Sequence, residues 1–275
     1  MLLSLLQLIR VKDWLKNIIV FLPLIFSNHL FDFDKLNHVA LLFCIFCLTS
    51  SIIYIINDIV DREEDRNNLL KKTIKPLARN SISIFFAFNI LLLFTFILIF
   101  LLFFNKIIFL HVLIYSILNI FYIFLLKKIP YIDLLVISFG YIIRLDSGSE
   151  IINVESSLLI ILTIFSLSFF AISMKRSIEL INNVSKSSLL YFNTLNLKIA
   201  TLIGLFSSIF FYSLYILIKN FNLLITFPVV VYFLFRYYLK YRDKNKFSPI
   251  DIVFKDVYLS LSIIVYFTLV IYMMY

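Results

Sequence analysis

The sequence predicts an all-α, polytopic membrane protein, and three observations support this fold class. Hydrophobic residues make up 62% of the 275-residue chain, charged residues make up only 15%, and the mean hydropathy is +1.02. Most of the chain also divides into apolar runs of about 20 residues, the length that a helix needs to cross ~30 Å of hydrocarbon. A soluble globular domain does not have this composition.

The apolar runs predict nine membrane-spanning helices that follow one another along the chain. These helices cover residues 17–33, 39–56, 83–104, 107–126, 131–147, 157–174, 198–218, 221–238 and 257–275. No internal repeat, proline-rich linker or polar appendage interrupts the series. We therefore expect a single membrane domain over residues 1–275.

The basic residues predict the orientation of the chain, because Lys and Arg concentrate on the cytoplasmic side of a membrane. With the N-terminus inside, all 25 Lys and Arg residues lie in cytoplasmic segments except Lys35, Lys106, Lys219 and Arg144. This places the C-terminus outside. The net charge of +9 then reflects topology and phosphate binding, and we expect no nucleic-acid partner.

An acidic cluster, Asn-Asp-Ile-Val-Asp-Arg-Glu-Glu-Asp at residues 57–65, follows the second apolar run. The carboxylates of Asp58, Asp61 and Asp65 would project from one face of a helix, with Asn57 beside Asp61. Such close carboxylates repel unless a cation lies among them, and Mg²⁺ prefers carboxylate oxygens together with substrate phosphates. The pattern predicts a magnesium site with these three aspartates as metal ligands and catalytic residues. The alternative is a solvated acidic loop.

The second half of the same loop is basic and contains Lys71, Lys72, Lys75 and Arg79. If a metal bridges phosphate oxygens at the carboxylates, these side chains would neutralise the remaining phosphate charge. The alternative is that they face lipid headgroups.

Three ionisable residues fall within the fifth apolar run. Asp133 lies a few residues into the run, where a carboxylate indicates a partner or a polar cavity. Arg144 and Asp146 lie close to the predicted outer interface, and we expect them to extend towards water or to pair with each other.

The Asn-Asp-x-x-Asp-x-x-x-Asp pattern of residues 57–65 resembles the first aspartate motif of the UbiA superfamily of intramembrane prenyltransferases. Further segments are similar to the decaprenyl-phosphate phosphoribosyltransferase branch of that superfamily, and together the matches span nearly the whole chain. The segments are Arg-Val-Lys-Asp-Trp-Leu-Lys-Asn at 10–17, Tyr122 to Asp133, Lys175 to Leu180, and Ser248 to Asp256. The chain departs from the pattern in two segments. Residues 75–80 read Lys-Pro-Leu-Ala-Arg-Asn where relatives usually have Arg-Pro-Ile-Ala-Ser-Gly, and Ile123 stands where a Ser often follows the Tyr.

The resemblance implies a ring of nine helices around a central cavity, with a cytoplasmic cap of short helices from loops 2–3 and 6–7. It also implies Mg²⁺-dependent transfer of a 5-phosphoribosyl group from phosphoribosyl pyrophosphate to a polyprenyl phosphate, for cell-envelope glycan synthesis. The resemblance further implies that the protein lies in the inner membrane of a bacterium. By position, Asn57, Asp58, Asp61 and Asp65 would hold Mg²⁺ and the donor diphosphate. The residues that would line the donor or acceptor phosphates are Lys16, Asn17, Tyr122, Lys127, Lys175 and Arg176. The predicted substrate site also includes Arg66, Lys72, Lys75 and Asp133.

Two other functions stay open at this point. A different UbiA-type enzyme would move a prenyl group from a prenyl diphosphate to an aromatic acceptor, using the same kind of metal-diphosphate site. The segments at 175–180 and 248–256 favour the phosphoribosyltransferase. A transporter would carry ionisable groups across the bilayer, whereas those of this chain concentrate at one predicted face.

Overall fold

The computed structural model describes residues 2–181, 192–242 and 249–275, and the regular secondary structure of these ranges is helical. The α-helices are α1 (Leu2–Leu8), α2 (Leu22–Phe26), α3 (Phe33–Val60), α4 (Arg62–Asn67), α5 (Leu69–Ile74), α6 (Ile84–Phe104), α7 (Phe109–Phe124), α8 (Ile132–Ile151), α9 (Leu158–Ile181), α10 (Thr194–Lys219), α11 (Phe227–Arg242), α12 (Pro249–Lys255) and α13 (Val257–Met274). Shorter-pitch 3₁₀ helices cover Val11–Phe21, Lys106–Ile108, Leu126–Lys128 and Phe221–Thr226. The predicted all-α fold class is confirmed.

The chain folds into two compact units. The first comprises Met1–Lys127 and Ile143–Glu155, and the second comprises Lys128–Ile142 and Ser156–Tyr275. Each unit has an apolar core of its own. The core residues of the first unit include Val20, Leu42, Phe46 and Tyr115, and those of the second include Phe170, Leu205, Tyr237 and Leu259.

Within the described ranges, seven helical segments are long and apolar enough to cross a membrane. They are Phe33–Val60, Ile84–Phe104, Lys106–Phe124, Leu158–Leu180, Thr194–Lys219, Phe221–Tyr241 and Val257–Met274. Each overlaps one of the nine predicted spans. On α6 only Ala87 and Leu98 are buried, while Phe85, Phe96 and Phe103 are at least 71% exposed. Large apolar side chains that are exposed along one face of a long helix indicate contact with lipid.

The predicted span at 17–33 does not form one continuous α-helix. The chain instead runs through the 3₁₀ helix and the five-residue α2, which has Pro23 in its first turn. Asn28 then adopts a positive φ of 61°, which ends the helical path. The segment is apolar as predicted, but it contains a 3₁₀ helix and a short α-helix in place of one long α-helix.

The predicted span at 131–147 corresponds to α8, which has 20 residues. It carries Asp133, Arg144 and Asp146 and is not among the seven candidate spans. The prediction of nine spans is therefore not confirmed.

The cytoplasmic cap and the orientation of the termini stay predictions. In loop 2–3 the structure has two six-residue helices, α4 and α5. Loop 6–7 includes residues 182–191, which lie outside the described ranges, as does Ser248 of the last resemblance segment.

Helices α9 and α10 of the second unit pack closely where Gly204 faces Phe170. A Cβ atom at Gly204 would lie 2.8 Å from both the backbone nitrogen and the Cα of Phe170. Because the obstructing atoms belong to the backbone, they cannot rotate away. This contact fixes the distance of α9, which carries Lys175 and Arg176, from α10.

We expect Gly204→Ala to lower the thermal unfolding temperature of the protein in detergent, since overpacking costs roughly 1–3 kcal/mol. The measurement is a thermal unfolding curve of the purified protein. Ser207→Ala, at a partly exposed position one turn further along α10, is the matched control and should leave the curve unchanged. Equal unfolding temperatures for both variants and the native chain would contradict the close approach.

Candidate active site

The acidic cluster lies at a break between two helices. Helix α3 ends at Val60, Asp61 has a φ of −87° and a ψ of 5°, and α4 begins at Arg62. The prediction that all three aspartates lie on one face of a continuous helix is therefore wrong. Acidic side chains are unfavourable at a helix C-terminus and favourable in a first turn, so the dense negative charge favours ending α3 and starting α4 at this point.

Asp58 and Asp65 are brought together across this break by the ammonium group of Lys75. The Lys75 Nζ atom lies 2.8 Å from Asp58 Oδ1 and 2.5 Å from Asp65 Oδ2. The side chains of Asp58 and Asp65 are only 2% and 1% exposed, so their charges require partners within the protein. Lys75 directly follows α5 and precedes Pro76, whose ring prevents the helix from continuing.

Each of these two aspartates has a second cation. Arg10 Nη2 lies 2.6 Å from Asp58 Oδ1, and Lys71 Nζ lies 2.9 Å from Asp65 Oδ1. Burial by itself would raise the pKa of the Asp65 carboxyl, but the two lysine ammonium groups outweigh burial and hold this pKa below its ordinary value. Asp65 is thus held as a carboxylate.

Arg10 reaches Asp58 because the backbone bends sharply at this arginine. Its φ of 52° and ψ of 51° lie in the left-handed region, between α1 and the 3₁₀ helix. An arginine pays conformational free energy to adopt this backbone, so the surrounding contacts must hold it there. The guanidinium also stacks over the Tyr54 ring, with its central carbon 4.5 Å from the ring centroid.

Asp61 points to a different cation from the other two aspartates. It forms an ion pair with Lys127, in the 3₁₀ helix that follows α7. Its side chain is 19% exposed, in contrast to the nearly complete burial of Asp58 and Asp65. Asn57 is half-buried in the last turn of α3, where its backbone oxygen accepts a hydrogen bond from the Asp61 N–H.

The donor chemistry of this cluster fits a hard divalent cation in part. Two buried carboxylates already converge on one positive charge, and oxygen ligands are what Mg²⁺ selects. Among the described residues, no three His, Cys, Asp or Glu side chains are close enough together to enclose a metal ion. Magnesium characteristically takes one or two carboxylates and completes its shell with water and substrate phosphate. Asp58 and Asp65 are therefore the pair that best suits this role, and the assignment of all three aspartates as ligands stays a prediction.

The next part of the loop is held by a second group of side chains. Asn80 Oδ1 accepts hydrogen bonds from Arg62, at 3.2 Å, and from Arg66, which also pairs with Glu63 at 3.1 Å. Asn80 has a φ of 61°, in the region where Gly or Asn is favoured. Asn is thus compatible with this backbone conformation, at a position where relatives usually have Gly. Lys72 is exposed.

Lys16 and Asn17 lie on the 3₁₀ helix of the first unit in different surroundings. Lys16 Nζ is 2.5 Å from Asp13 Oδ1. Asn17 is completely buried, accepts a hydrogen bond from Arg144 Nε at 2.7 Å and donates one to Ser50 Oγ at 3.2 Å. The Asn17 side chain thus connects α8 to α3. Its predicted contact with phosphate stays a prediction.

The expectation that Arg144 extends towards water or pairs with Asp146 is wrong, although Asp146 itself is exposed. Arg144 is only 4% exposed and bonds to Asn17 and to the Tyr115 hydroxyl, whereas Asp146 pairs with His111 at 3.1 Å. Residues two apart on an α-helix point in nearly opposite directions, so a mutual pair was already unfavourable from the spacing. Tyr122, another predicted site residue, is half-buried on α7 against the core of the first unit.

The second unit contains a buried ion-pair cluster of its own. Asp133 is completely buried, and its Oδ2 atom lies 2.7 Å from Arg176 Nε. Arg176 Nη1 lies 2.6 Å from Glu179 Oε2, and Lys175 Nζ lies 4.0 Å from Glu179 Oε1. The predicted need of Asp133 for a partner is confirmed. The guanidinium of Arg176 is placed between two carboxylates, while the Lys175 side chain is 44% exposed.

Two members of these clusters were missed by the sequence interpretation. The contact of Arg10 with Asp58 joins residues 48 positions apart, and no local pattern indicates it. Glu179 follows Arg176 by three residues, a spacing that favours pairing on one helix face and could have indicated the contact.

The fold and the site define a class of protein. It is a helical integral membrane protein with paired, buried carboxylates at the end of a candidate span. The chain belongs to the UbiA prenyltransferase family, whose profile matches residues 19–272. It is therefore an integral membrane protein of that family.

Curated relatives in the family include two decaprenyl-phosphate phosphoribosyltransferases. The one from Mycolicibacterium smegmatis is 28% identical over 182 residues, which are 64% of this chain and 57% of the relative. The one from Corynebacterium glutamicum is 29% identical over 183 residues, which are 65% of this chain and 55% of the relative. The matched region thus spans little more than half the length of these relatives.

A solved structure of a UbiA homologue from Archaeoglobus fulgidus, bound to GPP and Mg²⁺, has a similar fold. The TM-score is 0.73 at 15% identity, and the superposition covers 98% of this chain and 99% of the homologue. The likeness confirms the UbiA fold predicted from the sequence.

We expect Arg176→Met to destabilise the protein strongly, because it leaves the buried Asp133 carboxylate without this guanidinium. Removing one partner of a buried ion pair costs roughly 3–5 kcal/mol. Thermal unfolding in detergent should therefore occur at a clearly lower temperature than for Lys175→Met, the matched control on the adjacent, more exposed residue. The double variant Asp133→Asn with Arg176→Met should recover part of the loss. Similar losses in Arg176→Met and Lys175→Met would contradict a stabilising role for the buried pair of Asp133 and Arg176.

Proposed function

We propose that this protein transfers a 5-phosphoribosyl group from phosphoribosyl pyrophosphate to a polyprenyl phosphate in a Mg²⁺-dependent reaction. The proposal rests on the relatives named above and on one structural observation. Two buried carboxylates, Asp58 and Asp65, lie in contact with three basic side chains that a diphosphate could engage: Arg10, Lys71 and Lys75.

The mixture of charges suits a metal-diphosphate complex. Asp58 and Asp65 would hold Mg²⁺, and Asp61 is the third proposed ligand. The basic groups would contact phosphate oxygens that the metal leaves unneutralised. An acidic loop built only for contact with water would not need nearly complete burial of two carboxylates, so the burial supports a site over a solvated loop.

The transfer breaks the bond between the ribose anomeric carbon and a pyrophosphate oxygen, and the electron pair leaves with pyrophosphate. A new bond forms between that carbon and an oxygen of the lipid phosphate. Mg²⁺, when bound, would neutralise the negative charge that develops on the leaving group. The lipid phosphate is already an anionic nucleophile, so no general base is required.

The residues of the chain would therefore position the substrates and reduce repulsion between them. Lys127 is the nearest cation to Asp61 and is a candidate for contact with a diphosphate oxygen. In the second unit, the Lys175 ammonium is a better candidate for a substrate phosphate than Arg176, whose guanidinium is engaged by Asp133 and Glu179. Arg176 would then act as a positioning residue.

A second candidate function is prenyl transfer from a prenyl diphosphate to an aromatic acceptor. The Archaeoglobus fulgidus homologue, whose structure contains GPP, supports this alternative through its similar fold. Both reactions need a metal-diphosphate site, so the site alone does not separate them. Identity to the phosphoribosyltransferases favours the first reaction.

We expect Asp58→Asn and Asp61→Asn each to reduce Mg²⁺-dependent transfer by on the order of 100-fold or more, because each removes a charge proposed to hold the metal-diphosphate. Initial rates of the purified variants measure the effect. Asp34→Asn is the matched control, since Asp34 is an exposed carboxylate in the first turn of the same helix. Near-native turnover by both Asp58→Asn and Asp61→Asn would refute the assigned roles.

The donor is identified by supplying labelled phosphoribosyl pyrophosphate, Mg²⁺ and a polyprenyl phosphate to the purified protein. We expect labelled lipid only when all three are present, and loss of the label when Mg²⁺ is chelated. Transfer from a prenyl diphosphate to an aromatic acceptor, with none from phosphoribosyl pyrophosphate, would instead select the second function.

A further inference from the structure

The ammonium group of Lys75 lies where a metal ion shared by Asp58 and Asp65 would need to bind. Its Nζ atom is within 2.8 Å of an oxygen of each carboxylate, and both carboxylates are buried. A magnesium ion binds carboxylate oxygens at about 2.1 Å, so an ion bridging the same two oxygens would lie almost at the ammonium position. The two cations exclude each other by volume and by charge.

We infer that Lys75 is an internal counter-ion that occupies the metal position in the substrate-free protein and is displaced when the divalent ion binds. Metal binding would then be an exchange of one cation for another. The displaced ammonium, on a flexible four-carbon stem, would remain beside the site and could contact a phosphate oxygen of the diphosphate that the metal carries. This inference rests on the proposed function, which requires a metal-diphosphate. It identifies Lys75 as a residue that sets the affinity for the metal.

The other cations of the cluster make this exchange possible without leaving either carboxylate unpaired. Asp58 keeps Arg10, at 2.6 Å, and Asp65 keeps Lys71, at 2.9 Å. Arg10 forms its ion pair with Asp58, and Lys71 lies 3.8 Å from Glu64 in addition to its contact with Asp65. In the described part of the chain, Lys75 is therefore the cation that bridges Asp58 and Asp65.

The retained pairs also predict that a Lys75 variant will fold. Lys75→Gln removes the competing charge and leaves Arg10 and Lys71 against the two aspartates. We expect this variant to bind a divalent ion more tightly than the native protein, by about 5- to 150-fold, the usual range for coupling between two ligands of one protein. A purely structural ion pair predicts the opposite, because loosening the site would weaken its affinity.

The test is a titration of purified protein with Mn²⁺, followed by electron paramagnetic resonance, first with Mn²⁺ alone and then with inorganic pyrophosphate added. Lys75→Arg keeps the positive charge and should remain close to the native affinity. Lys72→Gln is the matched control, since it removes the same charge from an exposed position of the same loop, and it should not tighten binding. Thermal unfolding gives a second measure: Mn²⁺ should stabilise Lys75→Gln more than the native chain.

Tighter Mn²⁺ binding confined to Lys75→Gln would support the inference. Unchanged or weaker binding by Lys75→Gln, equal tightening by Lys72→Gln, or no binding by any form even with pyrophosphate would overturn it. The titration uses no phosphoribosyl donor, so it can succeed while the transfer assay fails. That result would reject the proposed donor and keep the cation exchange.

Discussion

The constraint on which the candidate site depends is the neutralisation of buried carboxylates. A carboxylate removed from water must have a cation or hydrogen-bond donors within contact distance, because its desolvation costs far more than a hydrogen bond contributes. In the first unit this requirement draws three distant parts of the chain together. Arg10, at the backbone bend, and Lys75, after α5, both form ion pairs with Asp58 near the end of α3. In the second unit, the guanidinium of Arg176 lies between the carboxylates of Asp133 and Glu179 and pairs with both.

These two clusters differ in what they leave available to a substrate. In the second unit the arginine is enclosed by two carboxylates, and the arrangement is suited to holding helices in place. In the first unit the cations are two lysines with flexible stems and one arginine, so the lysine pairs have more conformational freedom than a guanidinium held between two carboxylates. Such a difference in side-chain freedom separates a supporting ion pair from a binding site more clearly than the number of charges does.

Much of the fold could be predicted from the sequence, because apolar length and composition determine which segments enter a membrane. The boundaries of α6 differ by one residue from the predicted span at 83–104. The site was predictable only in part. The spacing of Asp58, Asp61 and Asp65 marked the cluster, but helix periodicity alone did not reveal the break at Asp61, where the helix dipole and the acidic run oppose continuation. The partnership of Arg10 with Asp58 depends on tertiary folding and could not be read from any local pattern.

The 3₁₀ helix at Val11–Phe21 has a geometric consequence for the entry of the chain into the membrane. With three residues in each turn, side chains three apart stay in line, and Trp14, Asn17 and Val20 form one edge. Trp14 Nε1 donates to Ser51 at 2.9 Å, Asn17 bonds to Ser50, and Val20 is buried in the core with Phe46. The same winding lengthens the segment. At ~2.0 Å per residue, followed by five α-helical residues at ~1.5 Å, residues 11–26 extend about 30 Å, against about 24 Å for an α-helix throughout. The length of these sixteen residues, in a 3₁₀ helix followed by a short α-helix, therefore matches the ~30 Å thickness of a bilayer interior.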